Sequence, residues 1–286
     1  MEQVIVNGLY SGLQYALIAL GLTLIFALMG VLNFAHGQMY VLGGFMTYYV
    51  YGVLGMPFFL GLLASAATLC LVGILFDRFL FRRVLRQSER EESSMLLAAG
   101  TALLLESLIL IGFGEKHRGV PAVVSGVLKV GDAYIPYGRL LVMLLAGSMI
   151  LVFILFMQYT RPGRALRALA QDHEATQLQG VNADRYSMIG FALGAMLAGL
   201  AGALLVSISG VNSGLGTWIS IKAFIMVMIG GAGVVAGAIF GGFILGMLES
   251  VGYTLLPGGE TYLVIFVALI VFLAIRPQGL MGKPWG

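Results

Sequence analysis

Charge is the scarcest property of this chain. Lys and Arg number 16 and Asp and Glu 13, together 10% of 286 residues, while 59% are hydrophobic. A water-soluble fold carries about 25% charged residues. It has nowhere to put this much apolar surface, because its own exterior faces water. The composition therefore excludes a soluble domain and calls for a lipid solvent. Cysteine is nearly absent: Cys70 stands alone in an apolar segment, so no internal disulfide can form, and small-residue packing is its expected role. The three histidines, His36, His117 and His173, are scattered, and neither a His-Glu-x-x-His pair nor a paired-Asp site occurs. No catalytic residue, metal site or cofactor is expected. The N-terminus lacks a basic stretch and a small-residue cleavage site, so the first hydrophobic run is expected to be a true span.

Long apolar runs are abundant, and the 41 glycines lie largely inside them. Membrane helices tolerate Gly and use it to approach one another closely. A span needs about 20 apolar residues. Candidates run over 6–29, 36–55, 58–77, 94–113, 139–158, 187–209, 219–250 and 261–275. The run 219–250 is too long for one span and is broken by glycines; it reads as two passes or as a half-helix and a span. The expected fold is an all-α polytopic bundle of about 8–9 helical elements, one or two of them discontinuous. Basic residues favour the cytoplasmic side. Arg78, Arg82, Arg83, Arg86 and Arg90, then Arg161, Arg164, Arg167 and Arg185, and finally Arg276 and Lys283 mark three cytoplasmic segments. The loop 114–138, with Lys116, Arg118 and Lys129, falls outside as a weak exception. Parity then puts the N-terminus outside and the C-terminus inside.

Four features carry chemistry. Asn33-Phe34-Ala35-His36-Gly37-Gln38, after Gly30, sets three polar side chains at a span boundary, where they are costly unless satisfied. It is either an interfacial turn in water or the start of a discontinuous helix whose positive end faces a pore. In 161–182, Pro162 and Gly163 end a span. Ala165, Leu166, Leu169 and Ala170 then recur at helical spacing, with Arg164, Arg167 and Asp172 on other faces. This predicts an amphipathic helix near 164–178, closed by Gly180, that docks on a cytoplasmic protein or lies on anionic lipid. Gly230-Gly231-Ala232-Gly233 is either a second break or plain packing; Gly233, Gly237 and Gly241, with Gly242 and Gly246, form a small-residue stripe. Glu106, Lys222 and Glu249 are ionisable residues within apolar runs, with a functional role or pairing to another helix as the two readings.

Taken in order, several segments resemble one family. They are Leu32–Gly37, Gly163–Ala168, Gly180-Val181-Asn182, Ala198–Gly202, Lys222-Ala223-Phe224, Gly230-Gly231 and Arg276-Pro277-Gln278-Gly279-Leu280. The chain looks like the inner-membrane permeases of bacterial ABC importers for branched-chain amino acids, over nearly its whole length. The resemblance implies one transmembrane permease domain over 1–286, with a coupling loop at about 160–186 and an external loop at about 114–138. It implies a second, similar permease chain, two cytoplasmic ATPase subunits that bind the ATP, and a periplasmic amino-acid-binding protein. No Gly-x-x-x-x-Gly-Lys-Ser/Thr loop is present, since Gly282-Lys283 runs into Pro284, so that nucleotide chemistry belongs to other chains. Asn33, His36, Gln38, Gly230 and Gly231 become candidates for the substrate pathway, and Arg164, Arg167, Glu174, Ala175 and Gly180 for coupling to the ATPase. The family's coupling motif, Glu-Ala-Ala-x-x-x-Gly, here reads Glu174-Ala175-Thr176 with Gly180, and Gln38 stands where many members have Glu. Both departures bear on substrate identity and coupling. A urea or short-amide importer permease is the near alternative, a stand-alone secondary transporter or channel using Glu106 the distant one, and an intramembrane enzyme the most remote.

Overall fold

The computed structural model describes residues 1–30, 32–87, 91–256 and 258–282; Arg90 and Lys283, two of the expected cytoplasmic charges, lie outside them. Helices account for most of the described chain. Six are long and apolar enough to cross a membrane. They are α1 (Glu2–Met29), the continuous Phe58–Val84 rod, α5 (Glu91–Phe113), α6 (Tyr137–Tyr159), α9 (Ala183–Ser209) and α11 (Val235–Leu255). The Phe58–Val84 rod comprises α3 (Phe58–Phe76), a π-helical turn at Asp77–Phe81 and the start of α4 (Arg82–Gln87). Three shorter elements complete the bundle: α2 (His36–Thr47) with a π-helical turn at Tyr48–Val53, α10 (Leu215–Gly230) and α12 (Gly258–Ile275). The fold is an all-α polytopic membrane bundle.

Side-chain size decides which helices are central. Buried residues make up 72% of the most apolar stretch of α1 and 78% of that of α9, against 22% in α5 and 28% in α6. α9 reads Phe191-Ala-Leu-Gly-Ala-Met-Leu-Ala-Gly-Leu-Ala-Gly-Ala, and three helices press on its small residues. Its Gly194 meets the Gly21 carbonyl of α1, its Gly202 the Tyr40 carbonyl of α2, and Leu69 of α3 packs on Gly199. α11 lies antiparallel to α1 in the same way, with Gly246 on the Gly12 backbone and Gly242 on Ala16. A Cβ at any of these glycines would overlap its neighbour. Close backbone approach is what small residues provide in membranes, where lipid is as apolar as leucine and supplies no hydrophobic drive between helices.

The glycine-broken run 219–250 resolves as two antiparallel helices, of which only α11 is among the six long enough to cross a membrane alone. α10 ends at Gly230, residues 231–234 turn, and α11 returns antiparallel, with Gly230 against Gly237 and Gly241 against the Met226 carbonyl. The C-terminal tail closes this turn: Leu280 N–H donates to the Ile229 carbonyl at 2.8 Å and Met281 N–H to that of Gly230 at 3.0 Å.

The connections sort to two ends. At one end Arg82 donates to the Asp184 carbonyl at 2.7 Å, joining the Arg78–Arg83 segment to the start of α9; α7 (Arg161–Gln171), α8 (His173–Leu178), the 231–234 turn and the tail gather there too. At the other end lie the N-terminus and the 114–136 loop. That loop folds into an antiparallel hairpin, β1 (Val127–Val130) with β2 (Ala133–Pro136), held to α1 through Glu2 and Gln3. Its Arg118 pairs by backbone with Val211 and donates to the Tyr48 hydroxyl at 3.3 Å. That bond raises the pKa of a guanidinium that is already always charged. The described basic residues of the three expected cytoplasmic segments thus share one end.

Candidate functional site

The head of α2 is built inside the bundle. Gly30 closes α1 in the left-handed region at φ 68°, its N–H bonded to the Phe26 carbonyl, and the chain doubles back among the helices. α2 therefore starts beside the middle of α1: His36 Nε2 lies 3.0 Å from the Ile18 carbonyl. The discontinuous-helix reading of this segment is the one the geometry matches, and Asn33 and His36 are wholly buried, with Gln38 at 1% exposure. A carbonyl only accepts, so Nε2 carries the imidazole hydrogen and Nδ1 is left buried without a partner among the described residues. Asn33 Oδ1 accepts from Ala35 N–H at 3.1 Å, an Asx turn that shapes the entry.

Ser220 of α10 ties this entry down. Its hydroxyl accepts from Gly37 N–H at 3.0 Å and donates to the Phe34 carbonyl at 2.9 Å. One side chain thus satisfies an orphan donor of the α2 start and a carbonyl of the approach. Gly37 permits it, because a Cβ there would overlap the Gly216 carbonyl of α10. Ser220→Ala is expected to lower the stability of the purified protein by about 1–3 kcal/mol, because a buried N–H and a buried carbonyl lose their partner together. The thermal midpoint in detergent reads this; a midpoint equal to wild type would mean that water caps the helix instead.

Gln38 points the same network toward the surface. Its Nε2 donates to Glu106 Oε2 of α5 at 3.2 Å, and Thr217 of α10 reaches the same oxygen at 3.5 Å. Glu106 lines a cleft of about 580 Å³ with Leu110, Glu115, Asn212, Ser213, Gly214, Leu215 and Trp218. Asn33, His36 and Gln38 do not line that cleft; they stand behind it.

Lys222 and Glu249, read singly from the sequence, are partners. Lys222 Nζ lies 3.0 Å from Glu249 Oε1 and 2.6 Å from the Tyr15 hydroxyl, which donates to Glu249 Oε2 at 2.5 Å. The ammonium also sits 5.0 and 5.1 Å from the ring centres of Tyr15 and Tyr262. This cluster joins α10, α11, α1 and α12. Sequence reasoning flagged both charges but missed Tyr15, Ser220 and Thr217. A lone hydroxyl in an apolar helix gives no signal, since Ser and Thr commonly bond their own helix backbone.

Gly230 and Gly231 are not near this site. They lie at the far end of α10, ten residues and about 15 Å of helix from Ser220, where they seat α11 and the tail. The break there is real, and its glycines are occupied by packing.

The coupling segment is two helices rather than one. Asp172 adopts an extended conformation (φ −156°, ψ 110°), ends α7 and caps α8, its Oδ1 accepting from Ala175 N–H at 2.9 Å. Asp leaves the helix interior because its carboxylate serves the next N-terminus better. α7 buries Gly163, Leu166 and Leu169 and exposes Arg164 and Arg167. α8 exposes every residue but Thr176, Glu174 and Ala175 included. The Thr176 hydroxyl, in place of the family's second alanine, donates to the Asp172 carbonyl at 2.6 Å. Gly180, at φ 82°, turns the chain toward Asn182, which caps α9.

Comparison with known proteins agrees with this architecture. The family described as branched-chain amino acid transport system, permease component, matches residues 4–274. The high-affinity branched-chain amino acid transport permease BraD of Pseudomonas aeruginosa is 32% identical, covering 99% of this chain and 96% of its own. The corresponding LivH permease of Escherichia coli K12 is 31% identical over 97% and 94%. Among solved structures, PsaBC from Streptococcus pneumoniae in complex with Fab superposes with a TM-score of 0.52 at 14% identity, covering 95% of this chain and 91% of that one, which is a likeness of fold.

Proposed function

Because the chain belongs to the permease family of branched-chain amino acid transport systems, we propose that it is the membrane-spanning subunit of an ABC importer for branched-chain amino acids. Two cytoplasmic ATPase subunits bind and hydrolyse the ATP, a second, similar permease chain completes the pathway, and a periplasmic binding protein delivers the substrate. The protein sits in the bacterial inner membrane with its N-terminus in the periplasm and its C-terminus in the cytoplasm. The shared end of the described basic residues supports that orientation.

The observation that carries the coupling role is α8. It projects from the basic end with five of six residues exposed, Leu178 among them at 89%. An exposed leucine on a capped helix suits a groove on a partner better than it suits water. A push on α8 has a short route inward. α7 is anchored by Leu166 and Leu169, α9 follows through its Asn182 cap, and Gly199 and Gly202 of α9 bear on α3 and α2. α2 carries Gln38, which holds Glu106. In this reading Asn33, His36 and Gln38 serve the pathway from behind, by fixing the α2 head, and Gly230 and Gly231 by keeping α10 and α11 together.

A pull-down tests the assignment. Wild type, solubilised in detergent, is expected to bring down an ATP-hydrolysing subunit, and Glu174→Arg combined with Arg167→Glu to lose it with an unchanged thermal midpoint. Surface charge reversals leave a fold intact but repel a charge-matched partner. Wild type that purifies alone and still moves leucine in liposomes would make this a stand-alone transporter.

A further inference from the structure

The hairpin between α5 and α6 carries the wrong side chains for water. β1 is exposed along its whole length, and it reads Val127-Leu128-Lys129-Val130. A strand with one face in water alternates apolar and polar residues. In β1 only Lys129 is polar, while Val127 and Val130 are 56% and 54% exposed. Residues opposite one another across an antiparallel pair share a face. The register therefore sets Val127 with Pro136 and Lys129 with Tyr134 on one side, and Leu128 with Ile135 and Val130 with Ala133 on the other. Ala133 is buried and Ile135 half-buried, so that second side rests on the protein. The first side is open: Val127, Pro136 and Tyr134 are exposed, and the Lys129 ammonium lies 5.4 Å from the Tyr134 ring centre. An apolar strand left uncovered in this way invites aggregation.

The position of the hairpin says what covers it. It is tied to the first turn of α1, where Glu2 accepts from Asp132 N–H at 2.8 Å and Gln3 from Tyr134 N–H at 2.9 Å. Pro136 then runs straight into α6 at Tyr137. Two membrane spans thus start at the level of the hairpin, which puts it at the boundary of the hydrocarbon. α6 exposes Leu144, Leu151 and Leu155 along its length, as a helix facing lipid does, and the hairpin is its direct continuation. Tyrosines and basic residues gather at this level. Tyr134 and Lys129 stand on the hairpin, Tyr137 at the start of α6, and Arg139 5.3 Å from the Tyr10 ring centre. That combination marks the membrane–water interface, where the ring is half in lipid and the cation meets the headgroups.

We propose that the 127–136 hairpin is an interfacial membrane anchor. Its open side lies in the headgroup layer of the adjoining leaflet, with Val127, Tyr134 and Pro136 toward the acyl chains and Lys129 on a phospholipid phosphate. The lysine stem lies along the apolar side and its ammonium reaches out, as long basic side chains do at such a boundary. The same loop, through Arg118, is paired with Val211 just before α10 and bonded to the Tyr48 hydroxyl. One segment therefore ties the lipid surface to the approach to α10. The inference needs only that the bundle spans a membrane, and it stands apart from what the permease carries.

Cys70 is the only cysteine, so a Cys70→Ser background gives single-site labelling. A small fluorophore on Val127→Cys, in the complete importer in nanodiscs, is expected to lose emission when the lipid carries a nitroxide near its headgroup, as the same label on Leu144→Cys of α6 does. The label on Leu178→Cys, on α8 at the opposite end, is expected to keep its emission. Adding Tyr134→Glu is expected to cut the quenching at Val127→Cys with an unchanged thermal midpoint, because that side chain is exposed. Quenching at Val127→Cys no greater than at Leu178→Cys, or undiminished by Tyr134→Glu, overturns the proposal. A label blind to the nitroxide lipid and shielded only when the binding protein is added would make the hairpin a docking face for that protein, and overturns it as well.

Discussion

Lys222→Met and Glu249→Leu, made one at a time, are each expected to cost the protein most of its folded yield, and made together to restore it. Each single change leaves a charge inside an apolar bundle with its counter-ion gone. Glu249 is 4% exposed, and without Lys222 its carboxylate keeps only tyrosine hydroxyls, those of Tyr15 and Tyr262, as partners. Without Glu249 the ammonium keeps that hydroxyl and two aromatic rings. Breaking a buried pair by removing one member costs about 3–5 kcal/mol, while replacing both by apolar groups is often neutral. The Tyr15 hydroxyl is then the remaining unmet group, at about 1–3 kcal/mol, so adding Tyr15→Phe to the double variant should recover more. The readouts are monodisperse yield and the detergent thermal midpoint. A double variant no better than either single one would mean that the two charges act apart, and the view of this cluster as a joint between α10, α11 and α1 would fail. Transport by a recovered double variant then shows whether the pair does more than hold helices together.

Gly202→Val carries the second large effect. Tyr40 of α2 presents its carbonyl directly onto the α-carbon of Gly202, and Gly43 of α2 lies on the backbone of Gly199 beside it. A valine forces the two helices apart along their contact. Overpacking of a dense core costs about 1–3 kcal/mol and sometimes more. Here the displaced helix carries Gln38 and the Ser220-bonded head, so transport should fall further than stability does. Gly100→Val on α5 is the control, since a Cβ there meets nothing within 4 Å. Reconstituted leucine uptake and the thermal midpoint, measured on both, make the comparison. Equal tolerance of the two valines would show that the α2–α9 contact is not needed.

The stretch Asn33–Gln38 was legible as unusual because three polar side chains interrupt an apolar run, and lipid leaves such groups no partner but protein. What they bond to was not legible. Ser220 lies some 180 residues away in sequence and looks like any hydroxyl on an apolar helix. The coupling segment was legible as amphipathic from its spacing, but not its division at Asp172. A helical repeat continues across that residue, and only the cap it makes with Ala175 distinguishes a break from a turn. Glu106 could be flagged but not placed, because nothing local says that α5 brings it to Gln38 and Thr217.

The sequence by itself determined the solvent and the order of the apolar helices. Scarce charge admits only lipid, the lengths of the apolar runs are tied to bilayer thickness, and the arginines mark one side; all three are local sums along the chain. Tertiary structure decided which glycines meet which backbone, that Lys222 and Glu249 answer one another, and that α2 begins deep in the bundle with its polar head locked behind Glu106. Those are matters of distance between helices. In a membrane, where every helix is apolar, helices find their neighbours by shape and by a few buried polar bonds, and neither is visible until the chain has packed.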